Sequence, residues 1–472
     1  MAKKKILLFA EIIVYLHVAI CNSSYCNSRC NNNLTHIIMK FYDRETENIA
    51  LGNIEKASAL VAQMTVITGR RRIGKTALIK QAFTRIPFVY FFVVRKSEAL
   101  LCQELADIVR NSTGEDLGEF SSFSRLFRAL MNLSKRLNFT LVFDEFQNLH
   151  YVNESLFSEI QNIWDSSKEG SHINLVLCGS VYSMMTKIFD DAHEPLFGRA
   201  THRFNLKPFR TETLKEILAD HNPDYTPDDL LTLYMLTGGV AKYVELLIDD
   251  GAFTKDAMID TVLSFGSFFI TEGYEMLREE FGKEYSNYFS VLQAIAEGNT
   301  DRSKIKNFTG IEPGGYLDKL EKNYSLIARQ RPFLQSEGTR DVRYYIIDNF
   351  LTFWFRFIHK YRSALEINNM DYVKTKVQED YNTFSGFILE RYFRQQYAET
   401  GRFNIVSNYW KRETDEIDLI AVDDNDKFMV IAECKRQANR ISLELLRQKA
   451  RDIISKRRRY KVDFRALSLE DM

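Results

Sequence analysis

The sequence predicts a multidomain α/β protein, and three observations support this prediction. The chain has 472 residues, which corresponds to roughly two to four domains of ordinary size. A glycine-rich loop joins an apolar strand to a helix within residues 66–83. A second strand-rich region follows residue 386, and helical periodicity fills much of the sequence between the two.

The composition indicates a soluble globular chain without an overall charge bias. Hydrophobic residues make up 45% and charged residues 27% of the chain, which is the usual balance of such proteins. Lys plus Arg and Asp plus Glu each number 63, so any basic surface for a nucleic-acid partner must be local. Cys102, Cys178 and Cys434 lie in apolar segments, as buried thiols do in a reducing cytosol, and we expect a cytoplasmic protein.

Residues 1–38 resemble a signal peptide only in part. Three lysines precede the apolar segment Ile6–Ile20, but this segment contains Glu11 and His17 and is shorter than the roughly 20 residues that span a membrane. A second start-like segment begins at Met39. We therefore expect residues 1–38 to be a dispensable extension without firm membrane association, with a weak membrane tether as the alternative.

The glycine-rich loop is a phosphate-binding motif in its required context. The segment Gly69-Arg-Arg-Arg-Ile-Gly-Lys-Thr76 follows the apolar strand Val66–Thr68 and precedes Ala77–Phe83, which has helical spacing. Gly69 and Gly74 allow backbone N–H groups to turn towards phosphates. The N-terminus of the helix adds a partial positive charge to the same place. The motif predicts binding of a nucleoside triphosphate, ATP in the first instance.

The last residues of the motif supply the chemistry. Lys75 is expected to reach the β- and γ-phosphates, and the Thr76 hydroxyl is expected to ligate Mg²⁺. The predicted cofactors are therefore ATP and Mg²⁺. The remaining residues of the segment that we assign to nucleotide binding are Arg70, Arg71, Arg72, Ile73 and Ala77.

A second acidic motif completes the predicted site. The apolar strand Thr140–Phe143 ends in Asp144 and Glu145. Asp144 is expected to hold Mg²⁺ through water, as the acid of a Walker B motif does. Glu145 is expected to polarise the attacking water, which predicts hydrolysis as well as binding.

Two further residues extend the site. Ser180 follows the apolar strand Asn174–Cys178 and is the candidate sensor of the γ-phosphate, as in P-loop ATPases with an additional strand; its alternative role is to cap the next helix. Arg199 precedes the strand Thr201–Leu206. It is a candidate arginine finger, in cis or from a neighbouring subunit, and a surface salt bridge is the alternative.

Taken together, the motifs resemble the archaeal-type ATPases of the STAND branch of AAA+ proteins. This resemblance implies an αβα ATPase core, a helical lid and a winged helix, to which a subset of the family adds a C-terminal nuclease-like domain. It also implies that Asp43, Arg44 and Glu45 lie near the adenine. Ala241 stands where family lids often carry proline. The segments that carry the resemblance are Phe41–Glu45, Gly69–Thr76, Phe143–Gln147, Gly179-Ser180, Pro195–Arg199 and Gly238-Gly239.

The middle of the chain is predicted to hold the accessory modules. We expect helices at 288–296, 303–308 and 314–323 and strands at 326–329 and 343–347, in the order of a winged helix. Acidic residues interleave with its basic ones, so a packing or interaction role competes with DNA contact. The predicted boundaries are 39–206 for the ATPase core, 207–275 for the lid, 276–345 for the winged helix, 346–385 for a helical linker and 386–472 for the nuclease-like domain.

Charged residues lie on two neighbouring predicted strands near the C-terminus. Asp418 lies on one predicted strand, and Glu433 and Lys435 lie two residues apart on the next, so they share a face. This arrangement resembles the PD-(D/E)xK nucleases, and the resemblance implies the roles of the residues. Asp418 and Glu433 would hold Mg²⁺, and Lys435 would orient water or stabilise charge on a phosphate. Glu390, on the preceding helix, would be a further metal ligand or a group supporting one. Charges at the end of an apolar strand cost free energy unless they are used.

These motifs lead to two hypotheses of different classes. The first is an ATP-binding and ATP-hydrolysing protein that acts on DNA through a metal-dependent nuclease-like domain, with Lys456–Arg459 as part of a basic face. The alternative is a nucleotide-dependent switch or scaffold whose C-terminal domain only binds a partner. The predicted partners are ATP and DNA, with a protein partner or a homo-oligomer as further candidates.

Overall fold

The computed structural model describes residues 39–282, 285–336, 338–411 and 415–472. Residues 39–472 form one compact unit. The predicted dispensable extension, residues 1–38, lies outside the described residues.

A five-stranded parallel sheet forms the centre of the first half, in the order β2-β3-β4-β1-β5. In parallel sheets of this type, loops at the carboxyl ends of the strands meet on one edge. This arrangement brings together the loop after β1, the end of β3 and the turn after β4. The strands are β1 Gln63–Gly69, β2 Phe88–Phe92, β3 Phe139–Asp144, β4 Ile173–Cys178 and β5 His202–Leu206.

Helices cover both faces of this sheet, which confirms the predicted αβα core. Strands β3 and β4 are buried along their whole length, as expected of parallel strands covered on both sides. Two apolar clusters fill the space between the sheet and its helices. The helices are α1 Glu45–Ser58, α2 Lys75–Ala82, α3 Glu98–Thr113, α4 Phe123–Leu133, α5 Leu149–Val152, α6 Leu156–Ser167 and α7 Tyr182–Asp190.

The next segment is helical, as the sequence predicts for the lid and the module after it. Three helices and an antiparallel hairpin follow the lid in the expected order, although their identity as a winged helix stays a prediction. The helices are α8 Thr211–His221, α9 Pro227–Thr237, α10 Ala241–Asp249, α11 Lys255–Val262, α12 Phe268–Phe281, α13 Tyr285–Ala296, α14 Arg302–Thr309 and α15 Gly314–Lys322, and the hairpin pairs β6 Ile327–Gln330 with β7 Arg343–Ile346.

An aromatic segment connects the two halves of the chain. It contains α16 Asn349–Phe353, a π-helical turn Trp354–His359 and α17 Arg362–Glu366. The Trp354 indole is buried and donates a hydrogen bond of 3.0 Å to the carbonyl oxygen of Ile270, just inside α12. The aromatic segment therefore belongs to the core that joins α12 to the C-terminal half.

The C-terminal region begins with one long helix, α18 Met370–Glu399, which is 30 residues long. The boundary predicted between residues 385 and 386 lies inside this helix, because its apolar face is continuous across that point: Tyr381, Phe384, Ile388 and Leu389 are all buried. The division into a linker and a separate domain is therefore wrong at this position.

A four-stranded sheet in the order β11-β10-β9-β8 packs against α18. The pairs β8/β9 and β9/β10 are antiparallel, whereas β10/β11 is parallel and is connected through two short helices. The elements are β8 Ile405–Lys411, β9 Asp415–Asp423, β10 Phe428–Cys434, α19 Leu443–Lys449, α20 Arg451–Lys456 and β11 Lys461–Leu467. Across the described ranges, no helix is both long enough and apolar enough to cross a bilayer.

We predict that Gly273→Ala destabilises the protein. A Cβ at Gly273, in the middle of α12, would lie 2.3 Å from the ring of Trp354, and overpacking of this kind costs about 1–3 kcal/mol. Gly386→Ala is the matched control, because no described atom lies within 4 Å of the Cβ position there. Alanine in a helix interior is about 0.5–1 kcal/mol more favourable than glycine, so this variant should be as stable as the parent or more so. Urea denaturation measures both, and equal midpoints for the two variants would contradict the packing described here.

Candidate functional site

The loop between β1 and α2 has the conformation of a phosphate cradle. Gly69 and Gly74 have φ angles of 148° and 95°, which residues with a side chain rarely adopt. A Cβ on Gly69 would also lie 2.9 Å from the carbonyl oxygen of Leu206. Backbone conformation and close packing therefore both require glycine at position 69.

Lys75, Thr76 and Asp144 meet at the carboxyl edge of the sheet. The buried Lys75 ammonium donates hydrogen bonds of 2.9 Å to the carbonyl oxygens of Gly69 and Arg70. The Thr76 hydroxyl donates to Asp144 Oδ2 over 3.1 Å. The site thus brings a cation for phosphates next to a hydroxyl and a carboxylate, the oxygen donors that Mg²⁺ prefers when phosphates and waters complete its shell.

Tyr90 is a residue of this site that the sequence analysis did not identify. Its hydroxyl donates a hydrogen bond to Asp144 Oδ2. Burial, followed by the hydrogen bond to Asp144, raises the pKa of Tyr90, so the phenol stays neutral and remains a donor. No sequence motif indicates Tyr90, because tyrosine is common in strands in which buried and partly buried residues alternate.

Glu145 and Ser180 are directly bonded. Glu145 has a φ angle of 55°, and its Oε2 accepts a hydrogen bond of 2.8 Å from the Ser180 hydroxyl. The amide of Gln147 donates to the same oxygen. Two donors therefore orient the carboxylate that we expect to polarise water. Gln147 has no assigned role in the sequence analysis, although it ends the segment Phe143–Gln147 that carries part of the resemblance.

One cavity of about 510 Å³ is lined by Lys75, Thr76, Asp144, Glu145 and Ser180. Lys40, Phe41 and Tyr42 enclose it from the start of the described chain, and Ala241 and Lys242 enclose it from the lid. A cavity of this volume suits a nucleotide-sized ligand.

Asp43 and Arg44, two of the residues predicted near the adenine, take different places. Arg44 lines the nucleotide cavity, where its guanidinium lies 5.6 Å from the centre of the Phe209 ring. Asp43 lines a neighbouring cavity of about 890 Å³, and its carboxylate accepts a hydrogen bond of 2.8 Å from the Arg44 backbone. Asp43 therefore orients the backbone at Arg44 in this arrangement.

The three arginines of the loop bind carboxylates that lie 200 to 278 residues further along the chain. Arg70 pairs with Asp348 at the start of α16. Arg71 pairs with Glu279 of α12, and burial raises the pKa of Glu279.

Arg72 makes the third of these ion pairs. Its Nε lies 2.7 Å from Glu272 Oε1. Glu272 is fully buried and also accepts a hydrogen bond of 2.9 Å from Tyr243. Of the three arginines, Arg71 and Arg72 line the nucleotide cavity, whereas Arg70 lines the neighbouring one.

Arg199 lies at the wrong end of the sheet for an arginine finger acting in cis. The residue two positions on, Thr201, donates its backbone N–H to Met64 at the start of β1, while the phosphate loop follows the end of β1. At about 3.3 Å per residue, these two ends are roughly 20 Å apart. Arg199 instead pairs with Asp165 at 3.2 Å, so the prediction of a cis role is wrong and the alternative of a surface salt bridge describes it.

A second group of charges lies in the C-terminal sheet, as predicted. Lys435 Nζ is 3.7 Å from both Asp418 Oδ2 and Glu433 Oε1. Asp418 also accepts a hydrogen bond of 2.8 Å from the backbone of Cys434, and burial raises its pKa. Among the described residues, Glu433 Oε2 is buried without a hydrogen-bond partner. We call Asp418, Glu433 and Lys435 the C-terminal cluster.

Two residues flank the C-terminal cluster. Lys449, which the sequence analysis did not single out, places its Nζ 3.7 Å from Glu433 Oε1. Glu390 lies 3.6 Å from Arg394 on α18. Burial and the nearby Asp418 raise the pKa of Glu390 to about 8. Glu390 and Lys435 both line a cavity of about 550 Å³, together with Arg436 and Arg440.

The predicted three-carboxylate metal set is not assembled in this arrangement. Within the described part of the chain, no three His, Cys, Asp or Glu side chains converge as metal ligands. Glu390 is directed to Arg394, which explains why it does not join Asp418 and Glu433. The unpaired Glu433 oxygen and the Asp418 carboxylate still offer oxygen donors of the kind that Mg²⁺ uses.

Comparison with known proteins agrees with the geometry of the first half. A family model described as an ATPase domain predominantly from Archaea matches residues 41–247. A second model, described as archaeal bacterial proteins of unknown function, matches residues 354–453. An uncharacterized protein of Methanocaldococcus jannaschii is 30% identical over 416 residues, which cover 84% of this chain and 87% of that protein.

Two solved structures are similar to much of this chain. The Walker-type ATPase of Pyrococcus abyssi is 20% identical, with a TM-score of 0.52 over 69% of this chain and 99% of that chain. The ORC2 protein of Aeropyrum pernix, in its ADPNP–ADP complexes, is 16% identical, with a TM-score of 0.48 over 70% of this chain and 98% of that chain. At 20% identity, the first of these similarities establishes the fold of the chain.

We predict that Glu279→Gln strengthens binding of Mg–ATP by about twofold to fivefold. Arg71 lines the nucleotide cavity, and phosphates must compete with Glu279 for it. The two side chains are 28% and 46% exposed, so solvent screening keeps the effect to the roughly 0.2–1 kcal/mol of a surface pair. Titration with a fluorescent ATP analogue measures the affinity. Glu297→Gln, which breaks a carboxylate–lysine pair with Lys360, is the control, and equal affinities in both variants would contradict the competition.

Proposed function

We propose that the chain binds and hydrolyses Mg–ATP and uses the nucleotide to control a DNA-cleaving C-terminal cluster, since it belongs to the same family as the Methanocaldococcus jannaschii protein and its residues 41–247 match an ATPase domain. The ATPase part rests on one observation above the others: Lys75, Thr76, Asp144 and Glu145 all line the same cavity at the carboxyl edge of a parallel sheet.

The residues of this cavity have different roles in hydrolysis. Lys75 exchanges its two carbonyl acceptors for phosphate oxygens, and the N-terminus of α2 supports the same negative charge. Thr76 and Asp144 are the residues that would hold Mg²⁺, which when bound neutralises charge on the phosphates. Glu145, oriented by Ser180 and Gln147, accepts a hydrogen bond from the attacking water and aligns it.

The nuclease part of the proposal rests on the C-terminal cluster. Two carboxylates and a lysine within 3.7 Å suit hydrolysis of a phosphodiester. Asp418 and Glu433 would hold Mg²⁺, which when bound promotes ionisation of water. Water then adds to phosphorus, the P–O ester bond breaks and the departing oxygen takes a proton, while Lys435 stabilises the negative charge on the phosphate. Arg440 and the basic segment Lys456–Arg459 supply charge for a nucleic-acid backbone.

One observation favours the alternative of a nucleotide-dependent switch or scaffold. Since no three metal-ligating side chains converge among the described residues, the C-terminal cluster serves equally as an ion-pair network in a partner-binding domain. Cleavage of DNA separates the two functions.

We predict that the full-length protein nicks supercoiled plasmid in Mg²⁺ or Mn²⁺ and that ATP changes the rate. Lys435→Ala should abolish nicking with ATP turnover intact, because it removes the cation of the C-terminal cluster only. Lys75→Ala should abolish ATP turnover and the effect of ATP on nicking. Lys56→Ala, on an exposed face of α1, is the control and should leave both unchanged.

The same plasmid assay can reject the nuclease part of the proposal. ATP turnover without nicking in either metal, in the parent protein and in Lys435→Ala alike, would establish the switch or scaffold function.

A further inference from the structure

Arg436 follows Lys435 directly and binds a residue of the ATPase lid. Its guanidinium lies 2.9 Å from Asp228 Oδ1 and donates to Asp228 Oδ2 over 3.0 Å, a two-point contact that fixes orientation as well as distance. The two side chains are 19% and 26% exposed, so solvent screens the pair only in part. The lid and the C-terminal cluster are therefore joined next to the lysine on which the proposed chemistry depends.

Contacts with α18 fix this pair further. The Tyr381 hydroxyl donates to Asp228 Oδ1 over 2.8 Å, and the Arg436 guanidinium lies 5.2 Å from the centre of the Tyr381 ring. Arg436 also donates to the Ser385 hydroxyl over 2.8 Å. Because Lys435 and Arg436 are adjacent in the chain, a guanidinium fixed on this side limits the positions that the Lys435 backbone adopts.

Helix α9, which carries Asp228, extends towards the nucleotide cavity. From Asp228 to Gly238 it spans about 15 Å at 1.5 Å per residue. A capping box between Thr226 and Asp229 closes its N-terminus, and every residue from Asp229 to Thr237 is buried. A helix packed on all sides transmits a displacement along its length instead of bending.

The other end of α9 contacts the phosphate loop through a short turn. Gly238 and Gly239 have φ angles of 57° and 76° and lead directly into α10. The backbone N–H of Lys242, in the first turn of α10, donates to the carbonyl oxygen of Arg72 over 3.1 Å. Lys242 and Ala241 also line the nucleotide cavity, so a bound nucleotide contacts the start of α10, directly after this turn.

We propose that α9 couples the nucleotide cavity to the C-terminal cluster, with the Asp228–Arg436 pair as the point of transmission. Phosphates in the loop change the contact between Arg72 and Lys242, the glycine turn absorbs the change in backbone angles, and α9 carries it to Asp228. Arg436 is a positioning residue that acts through Lys435. The inference rests on the part of the proposed function in which the protein binds ATP. It does not depend on the proposed cleavage of DNA. A ligand shifts such an equilibrium only through contacts that differ between two states, and the contact between Lys242 and the loop supplies that difference.

The test is amide hydrogen exchange of the full-length protein with and without a non-hydrolysable Mg–ATP analogue. In the parent protein, the analogue should change exchange about threefold or more in two peptides, one covering residues 69–77 and one covering residues 435–440. In Asp228→Asn the change at residues 69–77 should persist, and the change at residues 435–440 should disappear. Asp256→Asn, which removes an exposed carboxylate of α11, is the control and should respond as the parent does.

Variants of Arg436 test the same ion pair from its other side, so that the result does not depend on one substitution. Arg436→Gln should have the effect of Asp228→Asn, and the double variant should add nothing, because both changes remove the same link. Arg436→Lys, which keeps the charge, should restore part of the response.

Three outcomes would overturn the inference, and they are distinguishable. A change at residues 435–440 that survives in Asp228→Asn and Arg436→Gln, or that is absent in a parent protein responding at residues 69–77, would refute the coupling alone. No response at residues 69–77 in the parent would contradict the nucleotide site itself, and the coupling with it.

Discussion

Three consecutive arginines in the phosphate loop impose the constraint on which the rest of this structure depends. Adjacent positive charges at the carboxyl edge of a sheet repel one another, and removing one partner of a buried ion pair costs about 3–5 kcal/mol. The chain compensates by bringing carboxylates to all three: Asp348 to Arg70, Glu279 to Arg71 and Glu272 to Arg72.

The elements that carry these carboxylates are fixed in turn by the aromatic core. Helix α12 and the segment beginning at Asp348 pack together through Trp354, whose ring leaves no room for a side chain at Gly273. The loop that binds phosphate is therefore connected, through charges and then through close packing, to the helices of the second half. Phosphates entering the cavity compete with part of this network, which is a physical reason for a nucleotide to change the conformation of the whole unit.

Sequence alone predicts the parts of the site whose signals are local. The glycine positions of the phosphate loop, Lys75 and Thr76 lie within eight residues, and Asp144 follows a strand recognisable by its unbroken apolar run. The loop conformation and the contact of Thr76 with Asp144 agree with these predictions. The pair Glu433 and Lys435 was predictable for the same reason, since side chains two apart on a strand share a face.

Features that depend on distant parts of the chain were not predictable. Nothing near Arg72 in the sequence indicates Glu272, which lies 200 positions away, and nothing near Arg436 indicates Asp228. The cis role of Arg199 was predicted wrongly because its distance from the phosphate loop depends on the direction in which β5 pairs with β1. The domain boundary inside α18 failed because one helix packs against both the lid and the C-terminal sheet, and the three share one apolar core.

Single-turnover hydrolysis of Mg–ATP by the parent protein and by Glu145→Gln tests the central claim most directly. If Glu145 aligns the attacking water, the variant should bind Mg–ATP as tightly as the parent and hydrolyse it about 10²–10⁴-fold more slowly. Hydrolysis at the parental rate in Glu145→Gln, or no hydrolysis by the parent protein, would contradict the assignment of this cavity as an ATPase site.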